Sequence, residues 1–291
     1  MNDFKIGCNL NLNGKLENVP KTSNDLGGNF FQIFLRNPQS YNPNPRSDKS
    51  MIDFNNNLKK YKCNCVVHSS YCINLARPQD SYQHYKGINV LVEDLNHSKK
   101  IGSIGAIIHM GKNVKDEKNL SYQEAKNNYL EGIKSALDKS DKNSIIILET
   151  GAGCGSEICT SLIELGSLRK NLPKKYRKRV KFCIDTCHIF SAGYPINDLE
   201  YIKFLEIGID ILLGWKNVSV IHLNDSKTNF NERKDRHADI GKGKIGLKPL
   251  IEFVKICKKR NIPVVLETPT DKYDSEVFYY DEQISLIKQN I

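Results

Sequence analysis

Short apolar runs alternate along this chain with longer segments whose apolar residues return at helical spacing. The runs cover residues 4–8, 30–35, 63–67, 104–108, 144–148, 182–184, 218–221 and 263–266. Runs this short and this apolar describe strands buried on both faces, as in a parallel sheet. Between them the spacing predicts helices over 51–60, 79–101, 121–139, 157–168, 197–206 and 247–259, and a last one over 282–288. In 121–139, Tyr122, Ala125, Tyr129, Ile133 and Ala136 share one approximate face. In 197–206, Leu199, Ile202 and Leu205 recur every third residue and Phe204 widens the apolar side. The polar, Gly-containing residues 9–14, the Asn- and Pro-rich stretch 40–50, the basic connector 173–179 and the charged residues 229–237 read as loops.

No repeat or domain boundary interrupts the alternation, so residues 1–291 are expected to form a single α/β domain. A chain of 291 residues can bury a full-sized core. Eight strands separated by helices predict a closed (β/α)₈ barrel, with an open doubly wound sheet as the alternative. Right-handed crossovers put the helices outside and the carboxyl ends of all strands on one face, where such barrels display reactive groups.

Metal-capable side chains gather at those strand ends. His68 follows the third strand, His109 the fourth, Glu149 the fifth, and Asp185 and His188 the sixth. His222 follows the seventh, Asp235 and His237 lie in its long loop, and Glu267 follows the eighth. Of seven histidines, only His84 and His97 fall in helical segments. One such residue would read as a satisfied structural group. Five histidines beside four carboxylates on one face would be costly to bury without a compensating cation. The set suits zinc, and manganese or iron could use much of it. Nine ligands exceed the needs of one four-coordinate ion; a bridging carboxylate and three ions account for them. Adjacent ions suit phosphate chemistry, activating water and neutralising the attacked and leaving oxygens.

Charge sharpens this picture. Lys and Arg total 43 against 33 Asp and Glu, a formal net charge of +10, so a polyanionic partner is reasonable. Lys112, Lys227, Arg233, Lys234 and Arg236 could hold phosphates near the proposed ligands. Tyr71, and the run Arg36, Asn37, Pro38, Gln39, could enter a DNA groove or stack on a damaged nucleotide. The nine cysteines, among them Cys183 and Cys187, form no CxxC framework and read as reduced intracellular thiols. Neither a leader with an apolar core nor a membrane-spanning run of 18 apolar residues is seen.

The motifs His68-Ser69-Ser70-Tyr71, Leu148-Glu149, Ile184-Asp185-Thr186-Cys187-His188, His222-Leu223-Asn224-Asp225-Ser226-Lys227, Asp235-Arg236-His237 and Glu267-Thr268-Pro269 occur in this order. Together they resemble the endonuclease IV family of apurinic/apyrimidinic endonucleases over essentially the whole chain. The resemblance implies a TIM-type barrel with three zinc ions, manganese being an alternative at one position. It implies cleavage of damaged double-stranded DNA 5′ to an abasic site, leaving a 3′-hydroxyl and a 5′-deoxyribose phosphate, with 3′-end trimming as a second activity. On this pattern His68 and His109 hold one ion, and Glu149 bridges it to a second that Asp185, His222 and Glu267 complete. His188, Asp235 and His237 hold the third. Glu267, Glu149 and Asp185 become the catalytic candidates, Glu267 orienting or deprotonating water. Arg36, Asn37, Gln39, Tyr71, Lys112, Lys227 and Arg236 become the DNA contacts. The chain departs from the family at Asn9, where a first-strand His is usual, at Thr150 and Gly151 after Glu149, and at Ala238. None of these is a proposed ligand. Two other readings are a metal-dependent sugar or sugar-phosphate isomerase on a related barrel and a noncatalytic DNA-binding protein. A monomer is expected, intracellular and either nuclear, cytoplasmic or packaged in a particle.

Overall fold

Among the described residues there are ten strands: β1 (Ile6–Leu10), β2 (Phe30–Phe34), β3 (Asn64–His68), β4 (Ala106–Ile108), β5 (Ile146–Glu149), β6 (Val180–Asp185), β7 (Val218–His222), β8 (Asp225–Ser226), β9 (His237–Ala238) and β10 (Val264–Leu266). In this computed structural model, which describes residues 4–12, 15–42, 44, 46–115, 118–269 and 279–291, eight of them close in the order β1-β10-β7-β6-β5-β4-β3-β2. Every pairing within that ring is parallel. The closed barrel is the expected architecture, and the open sheet is excluded. Residues 13, 14, 43 and 45 of the two predicted loops lie outside the described residues.

Strand periodicity builds two cores. One face of each strand packs outward beneath the helices. The other contributes Phe30, Val66, Ile107, Ile147, Cys183, Val220 and Val265 to a layer inside the barrel. Since side chains alternate, the residue two positions after each layer member also points inward. Those residues are Gln32, His68, His109, Glu149, Asp185, His222 and Glu267. The fold therefore lifts a ring of polar groups directly above an apolar floor. Gly7 permits the close approach of β1 and β2, since a Cβ there would lie 1.6 Å from the Phe30 carbonyl oxygen.

The helices are α1 (Val19–Asp25), α2 (Asp48–Lys60), α3 (Tyr82–Lys100), α4 (Tyr122–Lys139), α5 (Leu162–Asn171), α6 (Lys174–Arg177), α7 (Thr186–Ser191), α8 (Leu199–Leu212), α9 (Leu247–Lys259) and α10 (Tyr280–Asn290). The helix expected over 157–168 starts later. Glu157 turns its carboxylate onto the Gly153 and Cys154 amides, Cys159 takes φ 54°, and Ser161 caps α5. The connector 173–179 contains α6, and α2 begins within the predicted loop 40–50 because Ser47 caps it. Phe204 does not join the core: it is 69% exposed on the outer face of α8. The charged loop 229–237 is framed at its base by the antiparallel pair β8–β9. Among the described residues no helix is long and apolar enough to cross a membrane.

Candidate metal centre

Glu149, at the end of β5, lies at the middle of the ring. Its Oε2 is 3.2 Å from His68 Nε2 and 3.4 Å from His109 Nε2, while its Oε1 is 2.8 Å from His222 Nδ1. His222 Nδ1 also lies 3.0 Å from Glu267 Oε2 and 3.8 Å from Asp185 Oδ2. On the far side Asp235 spans two imidazoles, 3.2 Å from His188 Nε2 and 3.1 Å from His237 Nε2, and His237 Nε2 stands 3.5 Å from Asp185 Oδ2. Three overlapping clusters result: His68, His109 and Glu149; Glu149, Asp185, His222 and Glu267; Asp185, His188 and His237, with Asp235 against the two histidines. All nine predicted side chains converge.

Local structure explains why both Asp185 and His188 reach this point. Asp185 ends β6 and caps α7, its Oδ1 accepting from the His188 amide at 2.8 Å. Its Oδ2 is left for the cluster and receives Asn224 Nδ2 at 2.7 Å. One turn of α7 then returns His188 to the same face.

The outward-facing nitrogens decide the tautomers. His68 Nδ1 donates to the Ser69 carbonyl at 2.7 Å, His188 Nδ1 to that of Thr150 at 2.8 Å, and His237 Nδ1 to that of Glu267 at 3.0 Å. A carbonyl can only accept, so each Nδ1 carries a hydrogen and Nε2 is the nitrogen turned toward the cluster. His188 Nε2 and His237 Nε2 are buried and, although each lies close to Asp235, neither makes a well-aligned hydrogen bond. Two donors at 2.0–2.1 Å from one ion in tetrahedral geometry stand roughly 3.4 Å apart. The nitrogen–oxygen separations above match that spacing, and imidazole with carboxylate suits a divalent cation such as zinc.

Burial and dense charge shift the titration of these groups in both directions. Burial raises the Glu149 carboxyl, but His109 and His222 outweigh it and hold the group well below its usual range. Burial pushes His109 down to about 4. For His237 burial is outweighed by Asp185 and Asp235, so the imidazole rises to about 9. Glu267, buried beside His222, is held down to about 2. Cys187, between the Asp185 and His188 positions, has its thiol pushed up to about 12 by burial and stays a neutral packing group. All nine cysteines are free thiols.

Beside the cluster opens a cavity of about 480 Å³, whose wall includes Tyr71, Lys112, Arg233, Lys234 and Arg236 with His109, His188, Asp235, His237 and Glu267. Tyr71 is half-exposed and packs its ring against Phe34, His68 and His109. Asn37 and Gln39 lie exposed on the turn after β2. Lys227 is exposed at the foot of the β8–β9 pair, outside the cavity wall. Arg36 does not face a ligand at all. It is buried, with Nε 2.9 Å from Asp94, Nη1 2.9 Å from the Tyr41 carbonyl and Nη2 3.0 Å from Glu93. The expected DNA contact is a structural anchor: two residues past the end of β2, it is held by Asp94 and Glu93 of α3.

Two amides missing from the sequence expectation complete the ring. Gln32 touches both His222 and Glu267. Asn224 bonds Asp185 and accepts the Glu267 amide at 2.9 Å. The offset of two from Phe30 was the signal for Gln32, hidden in a run read as wholly apolar.

Barrel and cluster together define a metal-site enzyme of the xylose isomerase-like TIM barrel class, whose family model matches residues 21–290. A protein of Acanthamoeba polyphaga mimivirus carried under the name endonuclease 4 is 38% identical over 289 residues, 98% of this chain and 92% of its own. An apurinic-apyrimidinic endonuclease of Plasmodium berghei is 31% identical across 95% of this chain and 53% of its own length. The crystal structure of endonuclease IV from Thermus thermophilus superimposes with a TM-score of 0.82 at 25% identity, covering 98% of both chains. The chain belongs to the endonuclease IV family of apurinic/apyrimidinic endonucleases. A D-tagatose 3-epimerase-like protein, at 15% identity and a TM-score of 0.69, shares the barrel alone. Membership of an endonuclease family thus sets aside both the sugar isomerase and the noncatalytic reading.

Proposed function

We propose that this protein hydrolyses the phosphodiester bond 5′ to an abasic site in double-stranded DNA, leaving a 3′-hydroxyl and a 5′-deoxyribose phosphate. Trimming of blocked 3′ ends would use the same site. The observation carrying this reading is the convergence of nine metal-capable groups, with histidine nitrogens and carboxylate oxygens facing one another across the barrel mouth. They suit three zinc ions, with manganese acceptable at one: His68, His109 and Glu149 for the first, Glu149, Asp185, His222 and Glu267 for the second, His188, Asp235 and His237 for the third. When bound, the ions supply Lewis-acid charge and make water a better nucleophile.

The chain itself supplies orientation and charge. Glu267 has one oxygen beside Gln32 and the other beside His222, which aims it to align an attacking water and take its proton. Glu149 and Asp185 hold the neighbouring clusters in register. Lys112 and Arg236, with Arg233 and Lys234, line the cavity where flanking phosphates would lie, and Lys227 extends that surface. Tyr71 offers a ring face to the extruded sugar, and Asn37 and Gln39 stand where a groove would pass. The protein would act as a monomer, in whichever compartment holds its DNA.

Zinc-loaded protein should incise a duplex bearing one abasic analogue on its 5′ side and leave intact duplex and ketose sugars unaltered. Strong chelation should abolish incision and zinc should restore it. Absence of incision by fully loaded protein would overturn the assignment.

A further inference from the structure

Gln32 sits in β2 at the offset that carries ligands on the other strands, two residues beyond the inner-layer Phe30. It is fully buried. Its side-chain amide bridges two ligands: Nε2 donates to Glu267 Oε1, and Oε1 lies 2.8 Å from His222 Nε2. A carboxylate only accepts, so the amide nitrogen belongs at Glu267. The amide oxygen left to His222 also only accepts, so His222 Nε2 carries the hydrogen. Its Nδ1 then faces Glu149 Oε1 and Glu267 Oε2, the side from which an ion would be bound in place of a proton. His68, His188 and His237 have their tautomers set by backbone carbonyls; His222 has its set by this side chain. The amide nitrogen also lies 3.4 Å from Asn9 Oδ1, on the residue paired with Gln32 in register.

We propose that Gln32 is a positioning residue that fixes the His222 tautomer and steers the Glu267 carboxylate, so that the central cluster can hold its ion. The inference rests on the metal-centre reading above, but its tests do not depend on incision.

Nitrogen NMR of the zinc-loaded wild-type histidines should show His222 protonated at Nε2. Gln32→Leu removes both contacts. It should weaken one zinc ion by about 10- to 100-fold in chelator competition and give His222 a mixture of tautomers. Gln32→Glu keeps an acceptor for His222 Nε2 but loses the donor to Glu267. It should retain the Nε2–H form and still bind that ion less tightly. A zinc-loaded wild-type His222 protonated at Nδ1, or a folded Gln32→Leu variant with wild-type zinc affinity, overturns the proposal. The wild-type spectrum decides it even where a variant does not fold. If loaded wild-type protein failed to incise DNA, the repair reading would fall while these readouts stood.

Discussion

Arg36 and Asp94 form an ion pair inside the protein, 2.9 Å apart, with both side chains almost fully buried. The pair ties the turn after β2 to α3, so the exposed Asn37 and Gln39 ride on a fixed base.

Arg36→Ala should therefore act on stability rather than on DNA. Removing one partner of a buried pair costs about 3–5 kcal/mol, which at roughly 2–4 °C per kcal/mol predicts a Tm lower by about 10 °C. Abasic-duplex affinity, titrated well below the transition, should be unchanged. Weakened DNA binding at an unaltered Tm would restore Arg36 as a DNA contact.

The same pair gives a pH signature. Burial raises the Asp94 carboxyl from 3.8 to about 6, with Arg36 only partly opposing it. The folded protein then binds this proton more readily than the unfolded chain, so the Asp94 contribution to stability is greatest below about pH 4. It falls as pH rises to about 6 and is level above that. Denaturant titrations of wild type and Asp94→Asn across pH 4–7 should show the difference, wild type minus variant, declining through that window.

Lys62 follows the end of α2 with φ 52°, where the Cys63 amide reaches back to the Leu58 carbonyl at 2.9 Å. Glycine is the residue that adopts this conformation without strain. Lys62→Gly should stabilise the protein by about 1 kcal/mol, read as a rise of a few degrees in Tm.

Glu267→Gln should lower incision by about 10²- to 10⁴-fold, the range for losing a positioned base, and leave abasic-duplex binding much less affected. Parallel losses in both would show that the residue serves substrate binding instead.

Asp235→Asn should remove one ion from the protein, since His188 and His237 both depend on that carboxylate. Elemental analysis should find one zinc fewer, and incision should fall by more than the roughly 100-fold expected for an outer partner. Unchanged zinc content would detach Asp235 from the third cluster.

The ring of converging His, Asp and Glu side chains was legible in the sequence because these residues stood after short apolar runs, and a barrel puts such positions on one face. α9 was legible too, over Leu247–Lys259, where the helical spacing is uninterrupted. Other features were settled by contacts that spacing does not encode. The Glu157 carboxylate takes up two amides of the 151–155 loop and delays α5. Arg36 looked like a surface cation until Asp94 and Glu93 were brought against it from α3. Gln32 reads as a strand interior until alternation is counted from Phe30. Phe204 fits an apolar stripe by spacing, yet it faces solvent.

The β8–β9 pair closes the base of the loop that bears Arg233, Lys234, Asp235 and Arg236 and ends at His237. Lys227 and Arg236 are joined there by a backbone hydrogen bond of 2.9 Å. Farther along, the Asn231 amide reaches the Phe190 carbonyl at 3.2 Å and Phe230 packs on the Phe190 ring, so the loop is pinned at its middle as well. Clasped at both points, the loop is a rigid bracket, and its four charged side chains stand where the backbone sets them.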